Sequence, residues 1–258
     1  MMRLAADLHI HTVLSPCASR EMTPPAIARE AARRELDVIA VCDHNSAGNV
    51  EAVCAAAAAI SGGPAVIPGI EITTTEEVHV LGLFSDLADA QAVGIEVTSG
   101  LPPWRTLAPR TSPTGGRPGP REPEQQLMDA CGRQTGIEKR MLAAASRFTL
   151  SAVVDLIHLH RGIAVAAHLD RKSFSVLSQL GFMPADIAFD GLEISAFGVT
   201  HGRAAEFACY RLPLISSSDG HFLEDIGTGL TVLEVEEPVL GEISRALRGV
   251  EGRRCLIA

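Results

Sequence analysis

The stretch DLHIHT (residues 7–12) predicts a strand near the start of the chain that carries two histidines at its end. Side chains alternate between the two faces of a strand, so His9 and His11 project from one face together with Asp7. Two neutral imidazoles on one face can bind a single metal ion. They can equally be ordinary hydrogen-bonded or solvent-facing histidines, and the pattern alone leaves both alternatives open.

Similar apolar runs alternate with helical patterns along most of the chain, which is typical of βα units around a parallel sheet. The predicted strands cover residues 4–11, 37–43, 65–72, 77–84, 163–168, 191–195, 212–219 and 230–236. The predicted helices cover residues 24–35, 48–60, 149–161, 173–181, 200–209 and 239–249. A length of 258 residues suits one large α/β barrel domain.

One segment interrupts this alternation. Residues 96–125 concentrate proline, glycine and arginine, which predicts a mobile loop. Helical patterning resumes near residue 123 and continues through KRMLAAASRF. We therefore expect residues 86–148 to form a helical and loop insertion on a single domain that spans residues 1–258.

The composition narrows the class of protein. Hydrophobic residues at 47% and charged residues at 21% indicate a soluble globular chain. No run approaches the roughly 18 apolar residues of a membrane span, and no signal peptide opens the sequence, so we expect a cytoplasmic protein without membrane contacts. Six cysteines without CxxC spacing indicate free thiols. The net charge of -9 argues against a stable nucleic-acid complex.

Metal-capable side chains recur where the predicted strands end. In chain order they are His9, His11, Asp43, His44, Glu71, His168, Asp219 and His221, and only His79 lies earlier in its strand. In parallel α/β proteins the carboxyl ends of the strands share one face of the molecule, and sites are built there. The sequence therefore predicts that these groups meet at one rim.

The stretch LIHLHRG provides an internal comparison, because His158 and His160 repeat the spacing of His9 and His11. The surrounding pattern here is helical, and residues two apart on a helix point in directions about 200° apart. We therefore expect His158 and His160 to be structural or surface histidines rather than a chelating pair.

The ordered set of motifs resembles the polymerase and histidinol phosphatase (PHP) family of metal-dependent phosphoesterases. The resemblance covers most of the chain outside residues 86–148, and it is carried by DLHIHT, VCDHNS (41–46), PGIEITT (68–74), EVHVLGLF (77–84), AAHLDR (166–171), GLEIS (191–195) and SSSDGH (216–221). It implies a distorted (β/α)7 TIM-like barrel whose rim binds two to three divalent metal ions of zinc, manganese or iron.

The resemblance also implies a ligand set. The first ion would bind His9, His11, Glu71 and Asp219. The second would share Glu71 and add His79 and His168. The third would bind His44, His221 and Cys17, at a position where the family usually has histidine or aspartate; a cysteine thiolate is a good zinc ligand. Asp7 and Asp43 would support the ligands from outside, with Asp43 orienting His44.

The expected reaction follows from these ligand types. Two divalent ions that share a carboxylate lower the pKa of a bridging water from about 15.7 toward about 7 and present hydroxide to phosphorus. We therefore expect hydrolysis of a phosphate mono- or diester in a nucleotide, a short oligonucleotide or a small phosphorylated metabolite. Glu71 and Asp219 are the main candidates for catalytic residues, Arg171 would add positive charge, and His201 would contact the substrate or transfer a proton. Alternatively, Arg171 forms only an exposed salt bridge, and His201 has no role in the site.

Two other functions fit the same residues. Metal-dependent amidohydrolases also begin with HxH on a first barrel strand, but they often bridge their metals with a carboxylated lysine. The lysines here, Lys139 and Lys172, lie in or beside predicted helices, which leaves Glu71 as the bridge and favours phosphoester chemistry. A catalytically silent metal-binding module is the third alternative, and the nearly complete ligand set disfavours it.

Overall fold

The computed structural model describes residues 1–104 and 125–258. The strands of this part are β1 (Met2–Ile10), β2 (Val38–Val41), β3 (Ala65–Thr73), β4 (His79–Leu83), β5 (Gln126–Met128), β6 (Gln134–Ile137), β7 (Ile163–Ala166), β8 (Gly191–Ser195), β9 (Leu214–Ser217), β10 (Thr231–Val235) and β11 (Arg254–Ile257). The α-helices are α1 (Pro24–Arg33), α2 (Val50–Ala58), α3 (Leu87–Ser99), α4 (Leu150–Leu159), α5 (Val176–Leu180), α6 (Ala196–Thr200), α7 (Ala204–Phe207) and α8 (Leu240–Arg248). Short 3-10 helices cover Ala208–Tyr210 and Leu223–Asp225.

Nine strands form one sheet that curls into a nearly closed barrel, in the order β11-β10-β1-β2-β3-β4-β7-β8-β9. The gap between β9 and β1 is bridged where the amide of His11 donates to the carbonyl of Gly220 at 3.0 Å and the amide of Gly220 donates to the carbonyl of His9 at 3.2 Å. The predicted α/β TIM-like barrel is confirmed. The strand number differs from seven, because β4, β10 and β11 join the sheet by antiparallel pairing.

Strand β1 changes face partway along its length. Its register against β2 shifts between Asp7 and Ile10. Leu8 packs with strand residues and α8, whereas Ile10 packs in the other core cluster, which includes residues of α1, α2 and α4. This irregularity contradicts the simple alternation predicted for DLHIHT, since it separates Asp7 from the face that carries His9 and His11.

Residues that favour a helix start stand where α1 and α4 begin. Thr23 precedes the Pro24–Pro25 start of α1, and the Thr149 hydroxyl accepts a hydrogen bond from the amide of Ala152 in α4. The predicted helix at 200–209 is instead divided among α6, α7 and a 3-10 turn. In the described part of the chain, no helix combines the length and apolar character that crossing a membrane requires.

The segment that interrupts the barrel differs from its prediction. Residues 96–99 belong to α3, and residues 105–124, most of the predicted mobile loop, lie outside the described residues. The helix expected after residue 123 is replaced by the β5–β6 hairpin and turns. Tertiary hydrogen bonds explain this, because the Asn45 side chain donates to the carbonyls of Leu142 (2.8 Å) and Ala144 (2.9 Å), and Asn49 donates to that of Gln126 (2.9 Å).

Candidate metal centre

A buried carboxylate near the end of β3, that of Glu71, lies at the centre of a group of histidines. Its Oε1 is 2.8 Å from Nδ1 of His79 and 3.2 Å from Nε2 of His168. β3 and β4 place Thr73 opposite His79 in an antiparallel pair, and His168 follows β7, the next strand of the sheet. The strand order therefore delivers two imidazoles to one oxygen of Glu71.

The second oxygen of Glu71 faces three further imidazoles. Its Oε2 is 2.9 Å from Nδ1 of His44, 3.4 Å from Nε2 of His11 and 3.6 Å from Nε2 of His9. His44 follows β2 and forms a parallel bridge with Glu71, while His9 and His11 lie at the end of β1. Glu71 thus stands between two separate groups of nitrogen atoms.

Asp219 enters the same cluster from the loop after β9. Its Oδ1 is 3.0 Å from Nε2 of His11 and 3.3 Å from Nε2 of His9, and the guanidinium of Arg171 contacts its Oδ2. The backbone φ of Asp219 is +50° and that of His168 is +31°. Such conformations cost non-glycine residues about 1–3 kcal/mol each and concentrate at functional sites.

Cys17 and His221 lie at the open side of the cluster. The Cys17 thiol, which like the other five cysteines forms no disulfide, is 3.1 Å from Nε2 of His221. Burial would raise the pKa of Cys17, but His221 and His44 outweigh it and lower the pKa to about 7. Burial would lower the pKa of His44, but Glu71 and Cys17 raise it to about 10. The nine predicted metal ligands are therefore brought together: His9, His11, Cys17, His44, Glu71, His79, His168, Asp219 and His221.

The outer nitrogen of His11 is held by a short relay. Nδ1 of His11 is 2.9 Å from the Ser15 hydroxyl, which donates to Asp43 at 2.6 Å. Asp43 also accepts hydrogen bonds from the amide and hydroxyl of Thr12, both at 2.7 Å. Through Ser15, the hydrogen bonds of Asp43 reach both the ring of His11 and the amide of His44, which donates to the Ser15 hydroxyl at 3.1 Å. That Asp43 orients the ring of His44 stays a prediction.

The outer nitrogen of His9 is held by an acid that the sequence argument did not single out. Nδ1 of His9 is 3.1 Å from both carboxylate oxygens of Glu193, and the amide of His168 donates to the same carboxylate at 3.0 Å. Glu193 lies within the GLEIS motif on β8. An acid inside an otherwise apolar strand was the signal that could have found it.

Asp7 does not lie on the histidine face of β1 as predicted, but holds the loops after β9. Its carboxylate accepts hydrogen bonds from the amides of Ser218 (3.0 Å) and Gly227 (2.8 Å). Burial raises the pKa of Asp7 to about 6 in spite of these bonds. Asp7 therefore ties β1 to the loop that carries Asp219, rather than sharing the face of the histidines.

Charge is distributed unevenly within the cluster. Burial would raise the pKa of Glu71, but His79 and other imidazoles hold it well below its ordinary value. Asp219 behaves likewise, because His9 and His11 outweigh burial and lower its pKa. Both carboxyl groups are consequently negative at neutral pH.

The two histidines of DLHIHT respond to this environment in opposite ways. Burial would lower the pKa of His9, but Glu193 and Asp219 raise it well above its ordinary value. Burial lowers the pKa of His11, and the nearby His221 lowers it further. Neutral His11 and charged His9 therefore lie 3.1 Å apart at their Nε2 atoms.

A cavity of about 340 Å³ opens onto the cluster. Its wall includes Glu71 and His168, and its rim carries Arg171 and Phe174. The Phe174 ring stacks on His79 with a centroid distance of 4.5 Å and is 39% exposed. The cavity thus offers a positive group and an aromatic face beside the carboxylates.

Three further histidines lie away from this cavity. The exposed His201 ends α6, where its Nδ1 is 2.8 Å from the carbonyl of Phe197 and its ring stacks on that of Phe197. The structure therefore does not bring His201 to the cluster, because its ring is turned back onto its own helix. His158 and His160 pair with different acids, Asp190 at 2.8 Å and Asp89 at 3.3 Å.

The donor set fits divalent metal ions. Three groups of side chains each place their ligand atoms within 4.8 Å of one another: His9, His11 and Glu71; His44, Glu71 and His79; and His11, His44 and His221. Nδ1 of His44 and Oε2 of Glu71 are buried without a hydrogen-bond partner although they lie 2.9 Å apart. Imidazole and carboxylate ligands suit zinc, manganese and iron.

Comparison with known proteins places the fold. No protein-family model and no curated protein sequence matches the chain. Endonuclease Q from Pyrococcus furiosus, a lesion-specific endonuclease, has a TM-score of 0.70 at 18% identity over 98% of this chain and 58% of its own. A complex of endonuclease Q with a 27-mer duplex that has an abasic lesion at the active site gives a TM-score of 0.69, also at 18% identity, 98% of this chain and 58% of that chain.

Two further solved structures share the fold. A metal-dependent phosphoesterase of inferred function from Bifidobacterium adolescentis has a TM-score of 0.55 at 20% identity, over 84% of this chain and 87% of its own. An amidohydrolase from Chromobacterium violaceum has a TM-score of 0.59 at 21% identity, over 86% of this chain and 89% of its own. These structures share the fold of this chain, which spans little more than half the length of endonuclease Q.

Proposed function

We propose that this chain is a metal-dependent phosphoesterase of the PHP family, formed as one barrel domain over residues 1–258 with an insertion at 86–148. The position of Glu71 carries the proposal. One of its oxygens faces His79 and His168, and the other faces His9, His11 and His44. A carboxylate placed in this way is suited to bridge two cations.

The ligand groups divide around Glu71. His9, His11 and Asp219 would hold one ion with Glu71, and His79 with His168 would hold a second. His44, His221 and Cys17 would hold a third. Bound divalent ions would acidify a water molecule and neutralise phosphate charge, which is the chemistry that phosphoester hydrolysis requires.

The cavity supplies groups for the substrate. Arg171 contacts Asp219 and is 42% exposed, so its guanidinium can reorient to bind a phosphate oxygen on a protein whose net charge is -9. The exposed ring of Phe174 offers a face on which an unpaired base can stack. These groups favour a nucleotide or short oligonucleotide over a small metabolite phosphate, and the DNA bound by endonuclease Q agrees with that choice.

Amidohydrolase activity is the second candidate, because the Chromobacterium violaceum neighbour is named as one. Lys139 lies after β6, outside the barrel sheet, and Lys172 lies in the loop between β7 and α5. Neither residue belongs to a barrel strand, so Glu71 remains the bridging candidate. A silent metal-binding module is disfavoured by a cavity that leads directly to the cluster.

A hydrolysis screen tests the proposal. The purified protein, with manganese and zinc compared, is assayed on p-nitrophenyl phosphate, its bis-ester, nucleotides, short oligonucleotides, histidinol phosphate, sugar phosphates and cyclic amides. We expect ester hydrolysis that chelation abolishes and metal restores. Turnover of cyclic amides alone would favour the amidohydrolase alternative, and metal binding without any turnover would favour the silent module.

A further inference from the structure

Glu193 is an acid in the middle of an apolar strand. Its neighbours in β8, Leu192 and Ile194, are fully buried, and Glu193 itself is 1% exposed. An ionised carboxylate is costly to bury unless several donors compensate it. The donors here are the ring of His9 and the amide of His168.

The contact with His9 determines which ring nitrogen carries the proton. Both oxygens of Glu193 lie 3.1 Å from Nδ1 of His9, so this nitrogen donates to the carboxylate. The opposite nitrogen, Nε2, faces Asp219 at 3.3 Å and Glu71 at 3.6 Å and carries the second proton of the charged ring when no metal is bound. A bound metal would displace this proton and leave the one on Nδ1, which is the tautomer that a ligand bound through Nε2 needs.

The same carboxylate also holds the other half of the cluster. The amide of His168 donates to Oε2 of Glu193 at 3.0 Å, and His168 has the unusual φ of +31°. His9 faces one oxygen of Glu71, whereas His168 faces the other. One buried acid therefore fixes groups on both sides of the carboxylate proposed to bridge the metals.

We propose that Glu193 is a positioning residue that sets the tautomer of His9 and the backbone of His168, and so preorganises both metal sites. The inference rests on the proposed function, since it presupposes that the cluster binds metal. Carboxylates that hold a ligating histidine from outside change metal affinity by about 10- to 100-fold when they are replaced. The role of Glu193 is thus measurable without any substrate.

The first test is the metal affinity of Glu193→Gln. Glutamine keeps the size of the side chain, but its NH2 group would face another hydrogen-bond donor, either the N–H of the His9 ring or the amide of His168. We expect zinc affinity, measured by competition with a chromophoric chelator, to fall about 10- to 100-fold. Unchanged affinity would overturn the inference.

Asp190→Asn is the matched control. Asp190 also joins a histidine ring, that of His158 at 2.8 Å, to a backbone amide, that of Ala164 at 2.8 Å, but it lies away from the cluster. We expect this variant to bind zinc as the parent protein does. An equal loss of affinity in both variants would show a general effect on folding and contradict a specific role for Glu193.

The second test needs no substitution in the site. In zinc-loaded parent protein with 15N-labelled histidine, NMR should show the proton of His9 on Nδ1. A proton on Nε2 would overturn the inference while leaving the proposed function intact. A parent protein that binds no zinc would overturn the proposed function, and this inference with it.

Discussion

Replacing Glu71 by glutamine removes one negative charge from the centre of the cluster while keeping the shape of the side chain. Five imidazole nitrogens lie 2.8–3.6 Å from its two oxygens, so any cation held by these ligands is close to the lost charge. Two unit charges 4 Å apart interact by about 4 kcal/mol at an effective dielectric constant of about 20. That energy corresponds to about a thousandfold in rate or affinity.

We therefore expect Glu71→Gln to lower kcat/KM for a phosphoester by about a thousandfold or more. Elemental analysis should also show fewer bound metal ions than in the parent protein, because Glu71 is shared between two sites. His158→Ala is the control, since His158 lies on α4 and pairs with Asp190 outside the cluster, and the turnover of this variant should match that of the parent protein. A Glu71→Gln protein with parental turnover and metal content would show that Glu71 is not the shared ligand.

Three other predictions concern pH, packing and substrate binding. Because the pKa of His44 is raised to about 10, its protonated ring stabilises the fold of the metal-free protein. This stabilisation is fully present below a pH of about 6.5 and is lost as the pH rises through about 10. The exposed Cys17, whose pKa is lowered to about 7, stabilises the fold more weakly and in the opposite direction, as the pH rises. The metal-free protein, prepared with a chelator, should therefore unfold at a lower denaturant concentration at about pH 10 than at about pH 7, and the difference should be smaller in His44→Gln. A denaturation midpoint that rises between about pH 7 and about pH 10 would contradict this. Gly229→Ala should lower the free energy of unfolding in urea by about 1–3 kcal/mol, because its Cβ would overlap the backbone carbonyl oxygen of Ser217. Gly241→Ala, in open space on α8, should be neutral or stabilising, and equal effects of the two variants would contradict this packing. Arg171→Ala should raise KM for a phosphoester about 10-fold with a smaller change in kcat, and an unchanged KM would remove Arg171 from substrate binding.

The sequence predicted the fold class and the grouping of the site residues from two sources. Strand and helix alternation predicted βα units around a parallel sheet whose strands end on one side, and the resemblance to the PHP family implied the distorted barrel. His9, His44 and Glu71 were therefore expected at one rim, where the structure has them. His79 was expected as an exception, and it reaches Glu71 because β4 runs antiparallel to β3.

What the sequence could not provide depends on contacts between distant segments. Glu193 serves His9 from 184 residues away, and no local pattern reports such a pair. The register shift in β1 moves Asp7 off the histidine face, and single-strand alternation does not predict it. Residues 126–148 have helical preferences, but side chains such as Asn45 satisfy their backbone groups in another conformation.

The most direct test of the proposed metal centre is a crystal structure grown with zinc or manganese, with anomalous scattering measured at the edge of that metal. We expect two anomalous peaks on opposite sides of the Glu71 carboxylate, one beside His9 and Asp219 and the other beside His79 and His168. Anomalous density found only elsewhere on the protein, with none next to Glu71, would contradict it.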